Sequence, residues 1–163
     1  METTYKQCAA HVPLSAVSLL AFIGVLISCG VTTAQATPLF TNGEKAMYNI
    51  QITLNDVTVT GTLDDTPATR DFVAQLPLTV KLDDYSSTEK ITYPPKKLST
   101  LSAPAGITPR IGDIAYYAPW GNIAIFYQNF AYSPGLIKLG EITNGIEHLH
   151  YRGAKQATIT LID

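Results

Sequence analysis

From Tyr48 onward apolar and polar positions alternate. Tyr48, Ile50, Ile52 and Leu54 are separated by Asn49, Gln51 and Thr53, the period of a strand with one face buried and the other wetted. After Asn55-Asp56 the alternation resumes, with Val57, Val59 and Leu63 set against Thr58, Thr60 and Thr62. Two such runs around a two-residue polar turn predict a β-hairpin.

The period then changes. Thr66 is placed to cap a helix, Pro67 sits in its first turn where a missing N–H costs nothing, and Pro77 closes it. Ala68, Phe72, Val73 and Leu76 form an apolar stripe, with Arg70, Asp71 and Gln75 on the other side. A helix of about three turns is predicted, a plug or lid on a sheet.

The rest reads as strand. Leu78 to Leu82, Lys90 to Tyr93, Ile114 to Ala118, Ile123 to Tyr127, Leu136 to Ile142 and Ala157 to Ile162 carry the signal. A Pro- and Ser-rich loop runs from Pro94 to Arg110, and Asn144-Gly145-Ile146-Glu147 suggests one helical turn. About eight short strands with one or two short helices argue a mainly β fold, a small closed or nearly closed barrel.

Before the alternation begins, residues Val12 to Ser28 contain no charge and follow a short head bearing Lys6, offset by Glu2. That is the layout of a secretory signal, at the short end for a membrane span. Two processing sites compete. Leu26-Ile27-Ser28-Cys29 resembles a lipobox, in which Cys29 becomes the acylated first residue; Ala34-Gln35-Ala36 resembles an ordinary signal-peptidase site. The lipobox reading leads, giving a signal over 1–28, a flexible tether over 29–46 and a folded domain over 47–163. It expects an envelope lipoprotein held on a membrane by its lipid anchor. Cleavage at Ala36 would instead give a periplasmic or secreted protein, and an uncleaved anchor is the third option.

Candidate chemistry is sparse. The two cysteines, Cys8 and Cys29, both fall in this amino-terminal region, so the folded domain has no disulfide, thiol nucleophile or thiolate ligand. The formal net charge is −2, with no basic stripe for nucleic acid. There is no Gly-x-Ser-x-Gly elbow, no phosphate-cradling loop and no zinc spacing, so neither a cofactor nor a metal is expected. His148 and His150 read as solvated loop residues. Asp64-Asp65 borders the helix start and Asp83-Asp84 borders a turn, and adjacent strand residues cannot converge on one bond.

The segment Gly112 to Tyr127, "GDIAYYAPWGNIAIFY", is different. Its alternation puts Ile114, Tyr116, Ile123, Ile125 and Tyr127 on one set of faces and Ala115, Tyr117, Ala124 and Phe126 on the other. Both sets carry aromatics, and a barrel interior takes only one. The outward set needs either a cover, such as the Pro94–Arg110 loop, or a role as a groove. The candidate ligand-binding residues are Tyr117, Trp120, Asn122, Phe126 and Tyr127, rimmed by Tyr85, Glu89, Lys90 and Lys97. Core aromatics beside a sealed turn are the bland alternative.

Three stretches, "TRDFVAQLPLTVKLDDYSSTEKITYPPKKLST", "GDIAYYAPWGNIAIFY" and "GLIKLGEI", closely resemble the bacterial cyclophilin-like fold proteins, over about Ile50 to Leu161. The resemblance implies a cyclophilin-like barrel. It also raises peptidyl-prolyl isomerisation, which true cyclophilins catalyse with an arginine in a Phe-x-Arg strand motif. Arg70, Arg110 and Arg152 are the arginines here and none stands in such a motif, so no catalytic residue is carried over. The leading expectation is a monomeric, non-enzymatic domain that binds a small molecule or extended peptide. A peptidyl-prolyl isomerase acting on exported proteins is the alternative, and an interaction module with a sealed core the third.

Overall fold

The computed structural model describes residues 47–163; the expected signal, the tether and Cys29 lie outside the described residues. Strand β1 (Met47–Leu54) and β2 (Val57–Asp64) form the expected hairpin. Asn55, with φ +52°, takes the left-handed conformation that a two-residue turn demands. Helix α1 (Pro67–Val73) follows, then β3 (Leu78–Tyr85), β4 (Glu89–Thr92), β5 (Gly106–Ile107), β6 (Asp113–Tyr117), β7 (Asn122–Phe126), β8 (Ser133–Pro134) and β9 (Leu136–Asn144). A 3₁₀ turn (Ile146–Leu149) leads into β10 (Lys155–Ile162).

Eight of the ten strands close an antiparallel barrel in the order β1-β10-β3-β4-β7-β6-β9-β2. Closure pairs every edge, which removes the exposed ladder that an open sheet of this size would present. The inward residues form one core, including Ile50, Ile52, Val59, Leu63, Leu82, Ile114, Tyr116, Ile123, Ile125 and Leu139. Where β2 meets β9 the backbones come close. A Cβ on Gly140 would sit 2.0 Å from the Thr62 carbonyl oxygen, so that contact requires glycine.

Helix α1 is shorter than its sequence pattern predicts. Thr66 caps it, its Oγ1 accepting from the Thr69 N–H at 3.1 Å. The chain then leaves the α-helix after Val73, with the N–H groups of Gln75 and Leu76 donating three residues back. Pro77 is the reason, because a residue before proline is driven away from helical geometry. Phe72 still drops into the barrel core, 1% exposed. The polar side of α1 does not simply face water: Asp71 Oδ2 accepts from the Ser99 N–H at 2.8 Å, and Gln75 exchanges hydrogen bonds with the Lys96 backbone.

These bonds pin the long loop after β4. Leu98 enters the core, and its N–H donates to Tyr116 Oη at 3.2 Å. Further on, the loop contributes β5, which pairs with β8 as a separate two-stranded sheet. Neither two-residue strand has enough length for alternation to show, so the pattern missed both.

Inside the barrel lies a buried charge pair. Lys90, fully buried, donates to Asp84 Oδ1 at 2.6 Å and to the Tyr151 carbonyl. Its ammonium stands 3.7 Å from the Tyr151 ring centroid, and Tyr127 Oη donates to the same Asp84 oxygen at 2.5 Å. Hydrogen bonds from Lys90 and Tyr127 hold the Asp84 carboxyl below its ordinary range. Of the two adjacent carboxylates, Asp84 therefore has a structural task that its sequence position gave no hint of.

Candidate ligand site on the barrel wall

The pleat of β7 decides the site. Ile123, Ile125 and Tyr127 point into the barrel, while Ala124 and Phe126 point out. The outward residues join Ala115 and Leu136 in a second apolar cluster, against which Ile91, Ile107 and Tyr117 pack. Ile107, on β5, supplies a partial cover from the Pro94–Arg110 loop. The cover is incomplete. Beside it opens a cavity of about 270 Å³, lined by residues that include Tyr85, Glu89, Tyr117, Trp120, Asn122 and Phe126.

The turn "APWG" brings Trp120 to the mouth. Gly121, at φ +77°, lets the chain reverse, and its N–H donates to the Tyr117 carbonyl at 2.8 Å. Trp120 is half exposed, and its ring meets Tyr85 at 5.5 Å and 84° and Tyr117 at 5.4 Å and 77°. Such edge-to-face contacts stabilise aromatic pairs beyond their burial. They also set the Tyr85 and Tyr117 rings each at nearly a right angle to Trp120. The opposite wall comes from Phe130, Tyr132, Ser133 and Pro134, and Phe130 stands 6.5 Å from Phe126. The Gly135 N–H, bonded to the Ala105 carbonyl, and the β5–β8 pairing hold that wall in place.

Two polar groups are sunk in this apolar surface. Burial pushes the Glu89 carboxyl up to about 7, the direction expected when a charged form loses water without gaining a partner. Asn122 is 1% exposed; its Nδ2 donates to the Ile123 carbonyl at 3.3 Å, and its Oδ1 has no hydrogen-bond partner.

Of the five residues expected to bind ligand, Tyr117, Trp120, Asn122 and Phe126 line the cavity. Tyr127 does not. It follows Phe126 in the chain, and strand alternation sends it into the core beside Asp84. Tyr85 and Glu89 are among the lining residues, whereas Lys90 is turned inward by the same alternation. Lys97 lies along Gly121 rather than among the lining residues. Phe130, Tyr132 and Leu136 also line the cavity. The first two lie in a segment without strand period, where the only signal in the sequence is two aromatics two residues apart.

His148 and His150 are both exposed, and among the described residues no group of three His, Cys, Asp or Glu side chains is placed to hold a metal. Among the described residues no helix is long and apolar enough to cross a membrane.

A closed eight-stranded antiparallel barrel with a lateral aromatic cavity is the class that these elements define. The sequence model of the Cyclophilin-like family matches residues 52–160, and the chain belongs to that family. Among solved structures the chain is similar to a hypothetical protein from Archaeoglobus fulgidus studied in solution. The TM-score is 0.56 at 12% identity, over 73% of this chain and 98% of the other. That likeness is one of fold. No curated protein matches.

Proposed function

We propose that this cyclophilin-like domain is a binding module whose ligand site is the cavity between Trp120 and Phe130. The observation that carries the reading is the unpartnered Asn122 Oδ1, buried in the wall of a cavity in which six of the thirteen lining residues are aromatic. Buried acceptors are nearly always satisfied, and a ligand donor would satisfy this one. The volume of about 270 Å³ lies near the small end for ligand sites, so the reading favours a small molecule over an extended peptide. No arginine is among the lining residues, which weighs against the isomerase alternative. The proposal includes export, with attachment to an envelope membrane through Cys29.

Trp120 is the chain's only tryptophan, so its fluorescence reports on the cavity. Titration with a panel of small neutral, anionic and cationic organic compounds is expected to give a saturable change for at least one. Ser133→Leu, which adds bulk to the wall, should abolish that change. A response that never saturates, or that survives Ser133→Leu, would remove the reading. Proline isomerisation measured with a short Pro peptide should stay at its uncatalysed rate, tens to hundreds of seconds.

A further inference from the structure

The cavity contains a carboxylate and no cation. Glu89 projects from the outward face of β4 opposite Phe126, and among the described residues no side chain is paired with it. The adjacent Lys90 is committed to Asp84 inside the barrel. Other ionisable groups lining the cavity are the hydroxyls of Tyr85, Tyr117 and Tyr132; no lysine, arginine, histidine or second carboxylate is among them. An uncompensated carboxyl in an apolar wall is costly to ionise, and its elevated pKa of about 7 is consistent with that. A ligand that brings a positive charge reverses the cost.

The walls have the same preference. Aromatic faces attract cations, most strongly where water is partly excluded, and Tyr85, Trp120 and Tyr117 form a continuous set of rings in contact. That set runs between the two polar groups. Tyr85 lies opposite Glu89 across the β3–β4 ladder, and Tyr117 lies opposite Asn122 across the β6–β7 ladder. Asn122 has one amide N–H engaged with the Ile123 carbonyl and an Oδ1 without a partner. A metal ion would need several oxygen ligands, and one carboxylate with one amide oxygen is too few. An anion would meet Glu89 and find no charged donor.

We propose that the cavity receives a small organic ammonium ion, seated against Tyr85, Tyr117 and Trp120, with Glu89 as counter-ion and Asn122 Oδ1 accepting from a donor on the ligand's other end. The inference rests on the reading of the cavity as a ligand site and names the chemistry of its occupant.

Choline has this form, a trimethylammonium at one end and a hydroxyl at the other. Its uncharged isostere carries a tert-butyl group in place of the ammonium. Calorimetric titration of the full chain with both, near pH 8, should give choline at least about tenfold tighter. Glu89→Gln should reduce that preference to about twofold or less without changing the affinity for the isostere. Trp120→Leu, which keeps apolar bulk and removes the π face, should weaken choline about fivefold and the isostere little. Choline affinity should fall below pH 7 in the parent protein, as Glu89 takes up a proton, level off near the Glu89→Gln value about fivefold lower, and stay flat in Glu89→Gln. Equal affinity for the two probes would overturn the inference while leaving an apolar ligand site in place. A preference that survives Glu89→Gln, or no binding of either probe, would overturn it as well. In the last case the fluorescence panel still decides whether the cavity binds anything.

Discussion

Glu89 and Lys90 are neighbours in the chain and serve opposite sides of one wall. Glu89 faces outward beside Phe126 in the aromatic cavity, whereas the Lys90 ammonium lies inside the barrel, 2.6 Å from Asp84. Two opposite charges that could have paired in an unstructured chain are kept apart by the pleat. One is fully compensated, and the other is left facing the cavity.

The inner pair predicts an asymmetric mutational response. Asp84→Asn should cost about 3–5 kcal/mol, because it leaves the Lys90 ammonium buried without its counter-ion. Lys90→Met should cost less, since Tyr127 Oη still donates to Asp84 and the methionine fills the space. The double variant should be less destabilised than the sum of the two. Urea unfolding measures all three. Because the folded-state pKa of Asp84 is depressed, its stabilisation is present above the unfolded carboxylate pKa. It is lost as pH falls through the depressed value, so Asp84→Asn should flatten the acid limb of the stability profile.

Glu89 predicts the opposite slope. Its folded-state pKa is raised to about 7 from 4.5, so the folded protein favours the protonated carboxyl. That contribution is present below the unfolded pKa and disappears as pH rises to about 7. Glu89→Gln should therefore be more stable than the parent near pH 8, by about 1–2 kcal/mol after allowance for screening by water. The gain should vanish near pH 4. Thermal unfolding across that range would show it, and equal stability of the two proteins at all pH values would contradict a desolvated Glu89.

Trp120 and Phe72 separate site from core. Trp120 is 50% exposed and Phe72 1%. Trp120→Ala should lower stability by under about 1.5 kcal/mol, with the two edge-to-face contacts as the main loss. Phe72→Ala should cost about 3–5 kcal/mol. In the parent protein iodide should quench Trp120 emission. An unquenched, blue-shifted signal would place the indole in a sealed core.

Gly140→Ala tests the close approach of β2 and β9. The added methyl would meet the Thr62 carbonyl at 2.0 Å and the Leu63 Cα at 2.6 Å. Both are backbone atoms that cannot rotate away, so the cost should exceed the usual 1–3 kcal/mol of overpacking. Loss of cooperative unfolding is the expected readout.

Much of this fold was legible because a barrel wall has a two-residue period. Ile50, Ile52 and Leu54 announced β1, and most barrel strands carry some version of that pattern, with β4 an exception because its inward positions are Lys90 and Thr92. The same parity rule separates Phe126 from Tyr127, and grouping them in one groove overlooked it. Other features had no local signal. Asp84 and Lys90 look like surface charges until β3 and β4 are paired, since burial of a charge depends on which partner the fold delivers. Phe130 and Tyr132 belong to a segment without period, and their place at the cavity comes from the β5–β8 pairing, a contact between residues far apart in the chain.

The central claim, that the cavity beside Trp120 is a ligand site, is tested most directly by amide proton–nitrogen correlation spectra. These would be recorded while choline and its tert-butyl isostere are titrated in separately. The indole N–H of Trp120, the side-chain amide of Asn122 and the backbone amides of Glu89 and Phe126 all report on that wall. For at least one of the two probes, saturable shifts concentrated on these groups are predicted, with the interior residues Lys90 and Tyr127 affected little. Shifts centred on the shallow depression lined by Leu78, Lys81, Tyr93 and Pro95, or no saturable shift with either compound or with any member of the fluorescence panel, would contradict it.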